Sequence, residues 1–120
     1  LENTPICACG GDESGAGLIT DGAGGAIVFI SAMRYEYGDK DIYAQHITHK
    51  GYLLWEECGR PIRVIERPKK STGLFEVLRN PDGGFYAVFG DCCWRNPHTP
   101  TPDSIIVYFQ RYDSLANPLW

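Results

Sequence analysis

Short runs in which apolar and polar residues alternate recur along the whole chain and predict β-strands. In residues 41–48, for example, Ile42 and Ala44 alternate with Tyr43 and Gln45. An apolar period of 3.6 residues, which would indicate a helix, nowhere extends beyond one turn. The pattern therefore predicts an all-β fold, with strands at residues 18–20, 26–30, 41–48, 52–55, 61–65, 74–78, 85–89, 105–112 and 118–120.

Glycine, proline and charged residues separate these runs and predict the connections. Residues 21–25 and 80–84 contain consecutive glycines, which accept the positive φ angles of tight hairpins. Residues 10–17 are rich in glycine and lack an apolar period, so we expect a loop or linker there. Residues 67–73 are predicted to form a charged loop, and residues 1–6 a short strand.

One sequence unit occurs twice. Residues 18–30 align with residues 77–89 at an offset of 59, which places Gly24 on Gly83 and Gly25 on Gly84. Residues 42–55 align with residues 107–120 at an offset of 65. The chain is therefore predicted to be one domain, residues 1–120, of two tandem antiparallel β-repeats of about 60 residues, at about 18–65 and 74–120.

The two copies differ in how they end. After Trp55 the first copy continues through Pro61 and Ile62, whereas the second copy reaches only Trp120. The Pro5-Ile6 pair is similar to Pro61-Ile62, so a strand at residues 1–8 is predicted to complete the second repeat, either in cis or in a neighbouring subunit. The predicted assembly residues are Thr4, Pro5, Ile6, Cys7 and Ala8, together with Leu119 and Trp120.

The faithful first copy resembles a known repeat. Residues 21–28 read DGAGGAIV, residues 41–45 read DIYAQ, and residues 51–61 read GYLLWEECGRP. These segments are similar to the repeats of secreted bacterial surface proteins, which read D-G-x-G-G-A-I-V, D-I-Y-A-Q and G-x-x-L-W-x-x-x-G-x-P. The second copy keeps Asp82, Gly83 and Gly84 but has Ala116 in place of Gly51.

That resemblance implies a secreted, non-catalytic architecture of β-propeller-like blades with about four strands each, and it brings no catalytic residue. Two blades are too few to close a propeller, which typically has at least about four. Three arrangements remain open: a piece of a longer array, two sheets packed as a sandwich, or an array continued by neighbouring chains.

Composition and charge narrow the classes of partner. The chain of 120 residues is long enough to bury a core, and its net charge is −4, with scattered Lys and Arg. This argues against nucleic-acid binding. No apolar run approaches the roughly 20 residues of a membrane helix, so no membrane insertion is expected. Without an initiator Met or a signal segment, Leu1 is expected to be a processed or internally cut end.

Five cysteines lack the paired CxxC spacing of a zinc site and favour disulfides in an oxidising compartment. Bonds from Cys92 and Cys93 outward to Cys58 and to Cys7 or Cys9 fit disulfide geometry better than a bond within the vicinal pair. The odd count leaves one thiol that is free or bonded between chains. The expected location is extracellular or at the cell surface.

The remaining candidate sites are weakly specified. Trp55 and Trp120 are predicted to pack under their own sheets, with exposed sugar platforms as the alternative. His46 and His49 should point to opposite faces and share no metal. Further candidates are Asp39 and Asp41, with the turn acids Asp21 and Asp82, for Ca²⁺; Thr99 and Thr101 for O-glycosylation; and Trp94 for glycan contact.

No nucleophile and base are set up by motif, so no enzyme and no cofactor other than Ca²⁺ is expected. The leading hypothesis is an extracellular structural protein that assembles head to tail into a filament or array by N-terminal strand complementation. The alternative is a carbohydrate-binding or adhesive module of a larger secreted β-propeller protein.

Overall fold

The computed structural model describes residues 3–33, 40–64, 70–93 and 104–120. Within these ranges the chain forms seven strands and no helix, and the all-β prediction is confirmed. The described residues thus contain no helix long and apolar enough to span a membrane. The strands are β1 (Asp12–Thr20), β2 (Ala26–Met33), β3 (Asp41–Ile47), β4 (Arg60–Arg63), β5 (Lys70–Arg79), β6 (Phe85–Cys93) and β7 (Ser104–Tyr112).

The strands form two antiparallel sheets that follow the two sequence copies. The four-stranded sheet has the order β1-β2-β3-β4, and the three-stranded sheet has the order β5-β6-β7. A β-bulge interrupts β1 between Gly15 and Gly17, and another interrupts β5 between Leu74 and Glu76, 59 residues later. Isolated bridges at Ile47–Leu53 and Tyr112–Pro118 repeat at the offset of 65. The repeat therefore extends to irregularities of the backbone.

The core lies between the sheets. Phe29 of β2 meets Phe85 of β6 edge to face, with ring centroids 5.2 Å apart. We call the faces that meet here the inner faces, and the opposite ones the outer faces. Burying these side chains supplies the main stabilisation of the sandwich. The inner faces carry Ile19, Ile27, Phe29, Ile42, Ala44 and Ile62 from the four-stranded sheet, and Phe85, Ala87, Phe89 and Tyr112 from the three-stranded sheet.

Hydrogen bonds and an ion pair between the two sheets fix their relative position. The hydroxyl of Tyr112 donates to the carbonyl oxygen of Ile62 over 3.0 Å. The guanidinium of Arg63 pairs with Asp91 and lies over the ring of Tyr108, 4.5 Å from its centroid. The hydrogen bond to Asp91 raises the pKa of Arg63, which favours the charged guanidinium in this half-buried link.

Several predicted boundaries are wrong. Residues 10–17 were expected to form a loop, but β1 begins at Asp12, which pairs with Met33. Likewise β5 already begins at Lys70, inside the predicted charged loop. In both places a neighbouring strand supplies the backbone partners, and pairing outweighs the weak strand preference of glycine and charged residues. Residues 52–55 and 118–120 contribute only isolated bridges.

Candidate assembly interface

Among the described residues, β7 has a neighbouring strand on one side only. On its other side only the end is paired, through the bridge Tyr112–Pro118 and the hydrogen bond from the Leu119 N–H to the Arg111 carbonyl oxygen. Its repeat equivalent, β3, lies between β2 and β4, and it pairs with β4 through Tyr43↔Pro61 and Ala44↔Arg60. The offset of 65 puts Tyr108 at the position of Tyr43. This edge of β7 therefore presents backbone N–H and C=O groups in the places where β3 binds a strand.

The side chains of β7 do not protect this edge. Residues 105–109 are five consecutive apolar residues, each between 40 and 60 % exposed. Natural edge strands usually carry charges, prolines or strong bulges that prevent pairing with another chain. β7 pairs with β6 without a register shift from Phe85↔Tyr112 to Cys93↔Ser104, so it offers a regular template. Such an edge is suited to binding an added strand.

The outer face of the three-stranded sheet is also apolar and exposed. Leu78 of β5 is 66 % exposed and Val107 of β7 is 60 % exposed. Phe75, the extra residue of the bulge in β5, is likewise exposed and contacts Gly90 across this face. Exposed apolar patches of this kind mark binding surfaces more often than they mark ordinary protein surface.

Aromatic rings form a row on the same face. The ring of Phe109 stacks on Tyr86 with centroids 5.4 Å apart, and the indole of Trp120 lies 5.5 Å from Phe109. Trp120 is 60 % exposed, so the prediction that it packs under its own sheet is wrong. The row presents aromatic faces and edges to an incoming partner.

The first copy shows why Trp55 is buried, at 9 % exposure, whereas Trp120 is not. The backbone N–H of Trp55 donates to Oε1 of the fully buried Gln45 over 3.0 Å. Arg60 of β4 lies over the indole at 4.9 Å, and His46 meets its edge at 5.6 Å. The strand β4 therefore helps to cover its tryptophan, and the described part of the three-stranded sheet has no strand in that place.

The N-terminal segment lies on the other sheet. Thr4, Ile6 and Cys7 line a cleft of about 290 Å³ with Val28 and Ile30, on the outer face of the four-stranded sheet. No residue from 3 to 8 belongs to a strand, so the predicted N-terminal strand is not formed there. The exposed Pro5 and Ala8 belong to the same stretch. In this structure the segment covers part of one outer face and leaves β7 open.

A disulfide fixes the end of that segment. Cys9 is bonded to Cys58, 49 residues away, with their Cα atoms 5.5 Å apart. The expected bonds from Cys92 and Cys93 to Cys58 are therefore not formed. The thiol of Cys92 donates to the carbonyl oxygen of Ser71 over 3.5 Å, and the side chain of Cys93 lies outside the described residues. The thiol of Cys7 donates to Glu13 over 3.0 Å. An all-β chain with a disulfide is compatible with an oxidising, extracellular compartment.

The candidate calcium ligands serve other roles where they are described. Asp21 accepts hydrogen bonds from the backbone N–H groups of Ala23 and Gly25, and His46 Nε2 lies 2.9 Å from its other oxygen. The hydrogen bond from His46, followed by that from Ala23, lowers the pKa of Asp21 to about 2.

The second turn repeats this arrangement with different residues. Asp82 accepts from the N–H of Gly84 and from Arg111, which occupies the position of His46, and these bonds lower its pKa. Asp41 is buried at the start of β3. Across residues 3–33, 40–64, 70–93 and 104–120, no group of three His, Cys, Asp or Glu side chains could hold a metal ion. Asp39, Trp94, Thr99 and Thr101 lie outside the described residues.

Sequence reasoning identified the end of the second copy but missed the outer face beside it. Phe75, Leu78 and Tyr86 were not singled out. Their signal was present, because each aligns with a residue of the first copy at the offset of 59, and alternation along β6 separates Tyr86 from the buried Phe85. No protein-family model matches the chain, and no curated protein or solved structure is significantly similar to it.

Proposed function

We propose that this chain is a non-enzymatic, extracellular structural protein that assembles head to tail, with residues 1–8 of one copy adding a strand to β7 of the next. The observation that carries the proposal is the edge of β7, where residues 105–109 are exposed and apolar. Backbone hydrogen bonds to such an edge supply affinity, and alternate side chains supply specificity. Because donor and acceptor are different surfaces, repeated contacts build filaments or closed rings.

The strand β4 gives the expected geometry of the donated strand. In the four-stranded sheet Pro61 pairs with Tyr43, and the following Ile62 is buried between the sheets. With Pro5 placed opposite Tyr108 in the same way, Ile6 would lie on the outer face of the three-stranded sheet. There it would cover Phe109 and the exposed indole of Trp120.

The test compares the mass of the full chain with that of a chain lacking residues 1–8. We expect the full chain to sediment as a concentration-dependent series or a closed oligomer, and the truncated chain to sediment as a monomer. Asn3→Ala serves as the matched control, because it keeps the segment and its backbone and replaces an exposed side chain outside the predicted assembly residues. Hydrogen exchange should show slower exchange of the β7 amides in the full chain than in the truncated chain.

Two results would overturn the proposal. One is a monodisperse monomer from the full chain over the whole concentration range. The other is a truncated chain that assembles as readily as the full chain, because the donated strand would then be dispensable.

The exposed indole of Trp120 favours a second candidate function, a carbohydrate-binding or adhesive module. The exposed indole of Trp120 lies 5.5 Å from the exposed ring of Phe109, which stacks on Tyr86 at 5.4 Å. Aromatic faces of this kind pack against the apolar faces of sugar rings. A glycan array with the wild-type chain, Trp120→Ala and Trp94→Ala tests it, and loss of binding in either variant supports the module. Absence of binding by the wild-type chain rejects it.

A further inference from the structure

The outer face of the three-stranded sheet is the repeat equivalent of the inner face of the four-stranded sheet. Leu78, 66 % exposed, occupies the position of Ile19, which is 8 % exposed. Val107, 60 % exposed, occupies the position of the fully buried Ile42. In the first copy this face is buried against the next sheet of the same chain. In the second copy the equivalent face is covered by no other sheet of the described chain.

The opposite end of the molecule carries the complementary surface. The outer face of the four-stranded sheet is the repeat equivalent of the inner face of the three-stranded sheet. Leu18, 65 % exposed, occupies the position of Val77, which packs against the core between the sheets. Val28 and Ile30 on the same face occupy the positions of the buried Ala87 and Phe89. The contact between the two sheets of one chain is thus a template for a contact between two chains.

We infer that the outer face of the three-stranded sheet packs against the outer face of the four-stranded sheet of a second copy, in the same relation as the two sheets within one chain. The inference rests on the proposed self-assembly and specifies which faces of two copies are in contact. The continuity of the repeat selects the occupant. Within one chain, the inner face of the three-stranded sheet packs on the four-stranded sheet, and the outer face of the four-stranded sheet of another copy presents the repeat equivalents of that inner face.

The N-terminal segment links this face to strand donation. Ile6 and Thr4 now lie in the cleft beside Val28 and Ile30, on the face that the second copy would contact. Moving residues 3–8 to the β7 edge of the neighbour would clear this face. The same movement would therefore add a strand to the three-stranded sheet of the neighbour and expose the outer face of the four-stranded sheet of the copy that donates the strand.

The test uses two charged variants of the full chain, one on each face. Leu78→Lys places a cation on the outer face of the three-stranded sheet, and Leu18→Lys places one on the outer face of the four-stranded sheet. Each variant alone is expected to associate at least tenfold more weakly than the wild type in sedimentation velocity experiments. An equimolar mixture should form a dimer and no larger species, because one intact surface of each kind remains in every pair.

The matched control is Leu115→Lys. Leu115 is similarly exposed but lies in the turn after β7, at the repeat position of Lys50, so this variant should assemble as the wild type does. Urea denaturation of all variants checks that each remains folded. If a variant unfolds, Leu78→Gln or Leu18→Gln replaces it, with the same prediction in the mixture.

The results separate the two proposals. If Leu78→Lys assembles normally while the chain lacking residues 1–8 does not, the face contact is overturned and strand donation stands. If the truncated chain assembles and Leu78→Lys does not, the face contact stands without strand donation. A monomeric wild type, or a mixture of the two variants that stays monomeric, overturns the face contact.

Discussion

At the scale of single residues, the paired glycines of the repeat have different tasks. Gly24 and Gly83 have φ angles of +85° and +96°, which side-chain-bearing residues rarely adopt. Gly25 and Gly84 are needed for close approach, because a Cβ atom there would collide with the carbonyl oxygen of Ile47 or Tyr112, respectively. The Gly-Gly pair therefore specifies a hairpin turn and the approach of β3 or β7 to it.

The glycine at the next turn of the repeat is less restricted. Gly51 has a φ of +84°, and its counterpart Ala116 adopts a φ of 64° with a side chain present. Among the described residues, a Cβ atom at Gly51 would meet only Thr4 Oγ1, at an ordinary contact distance of 3.5 Å. This explains how the second copy tolerates alanine at a position where the first has glycine.

These differences predict unequal effects of the same substitution. Gly51→Ala should lower the free energy of unfolding by about 1 kcal/mol, the cost of a left-handed conformation for alanine. Gly25→Ala should cost roughly 3 kcal/mol, because backbone atoms of Ile47 would have to move. Urea denaturation of both variants measures the difference, and equal losses would contradict the assignment of distinct tasks.

At the scale of strands and sheets, pattern reasoning located the centres of the strands but not all of their ends. Alternation and β-branched residues indicated β2, β3 and β6, whose side chains are buried on one face or both. The same signal indicated β7, although most of its side chains are exposed. The start of β1 at Asp12 was not predictable in this way. Gly15 and Gly17 carry no side-chain signal, and they join the sheet because β2 lies beside them. The position of residues 3–8 likewise depends on a surface that exists only after folding.

The hydroxyl of Tyr112 links two strands, and its contribution to the free energy of unfolding depends on pH. It joins β7 to β4 by donating to the Ile62 carbonyl, and burial raises the pKa of Tyr112 to about 12. Since the ordinary value is about 10, the folded chain holds this proton more tightly than the unfolded chain does. The resulting stability is fully present below pH 10 and is lost as the pH rises from 10 to 12.

Between pH 10 and 12, the free energy of unfolding of Tyr112→Phe should therefore fall less than that of the wild type. The substitution should also lower the free energy of unfolding at neutral pH by about 1–2 kcal/mol, because the Ile62 carbonyl loses its partner in the core. Urea denaturation between pH 7 and 12 measures both effects. The exposed Tyr52→Phe is the control, with no change expected at neutral pH. An unchanged alkaline profile in Tyr112→Phe would show that another group dominates.

At the scale of the whole molecule, the two copies have unequal surroundings although strands β1–β3 and β5–β7 repeat the same backbone arrangement. The four-stranded sheet is covered on its inner face by the three-stranded sheet and on part of its outer face by residues 3–8. The three-stranded sheet is covered on its inner face alone among the described elements. The sequence repeat indicated the difference between the two copies at Trp120. The extent of the exposed outer face of the three-stranded sheet could be found only from the structure, which shows the side chains that point outward.

The disulfide between Cys9 and Cys58 sets the reach of the N-terminal segment. The five residues from Thr4 to Ala8 span at most about 18 Å when fully extended. A donated segment would therefore act as a short tether, and the β7 strand that receives it must lie within that distance of Cys9. Neighbouring copies joined in this way would be held at close range and in a narrow set of orientations. Reduction of the bond would lengthen the tether and loosen the spacing between copies.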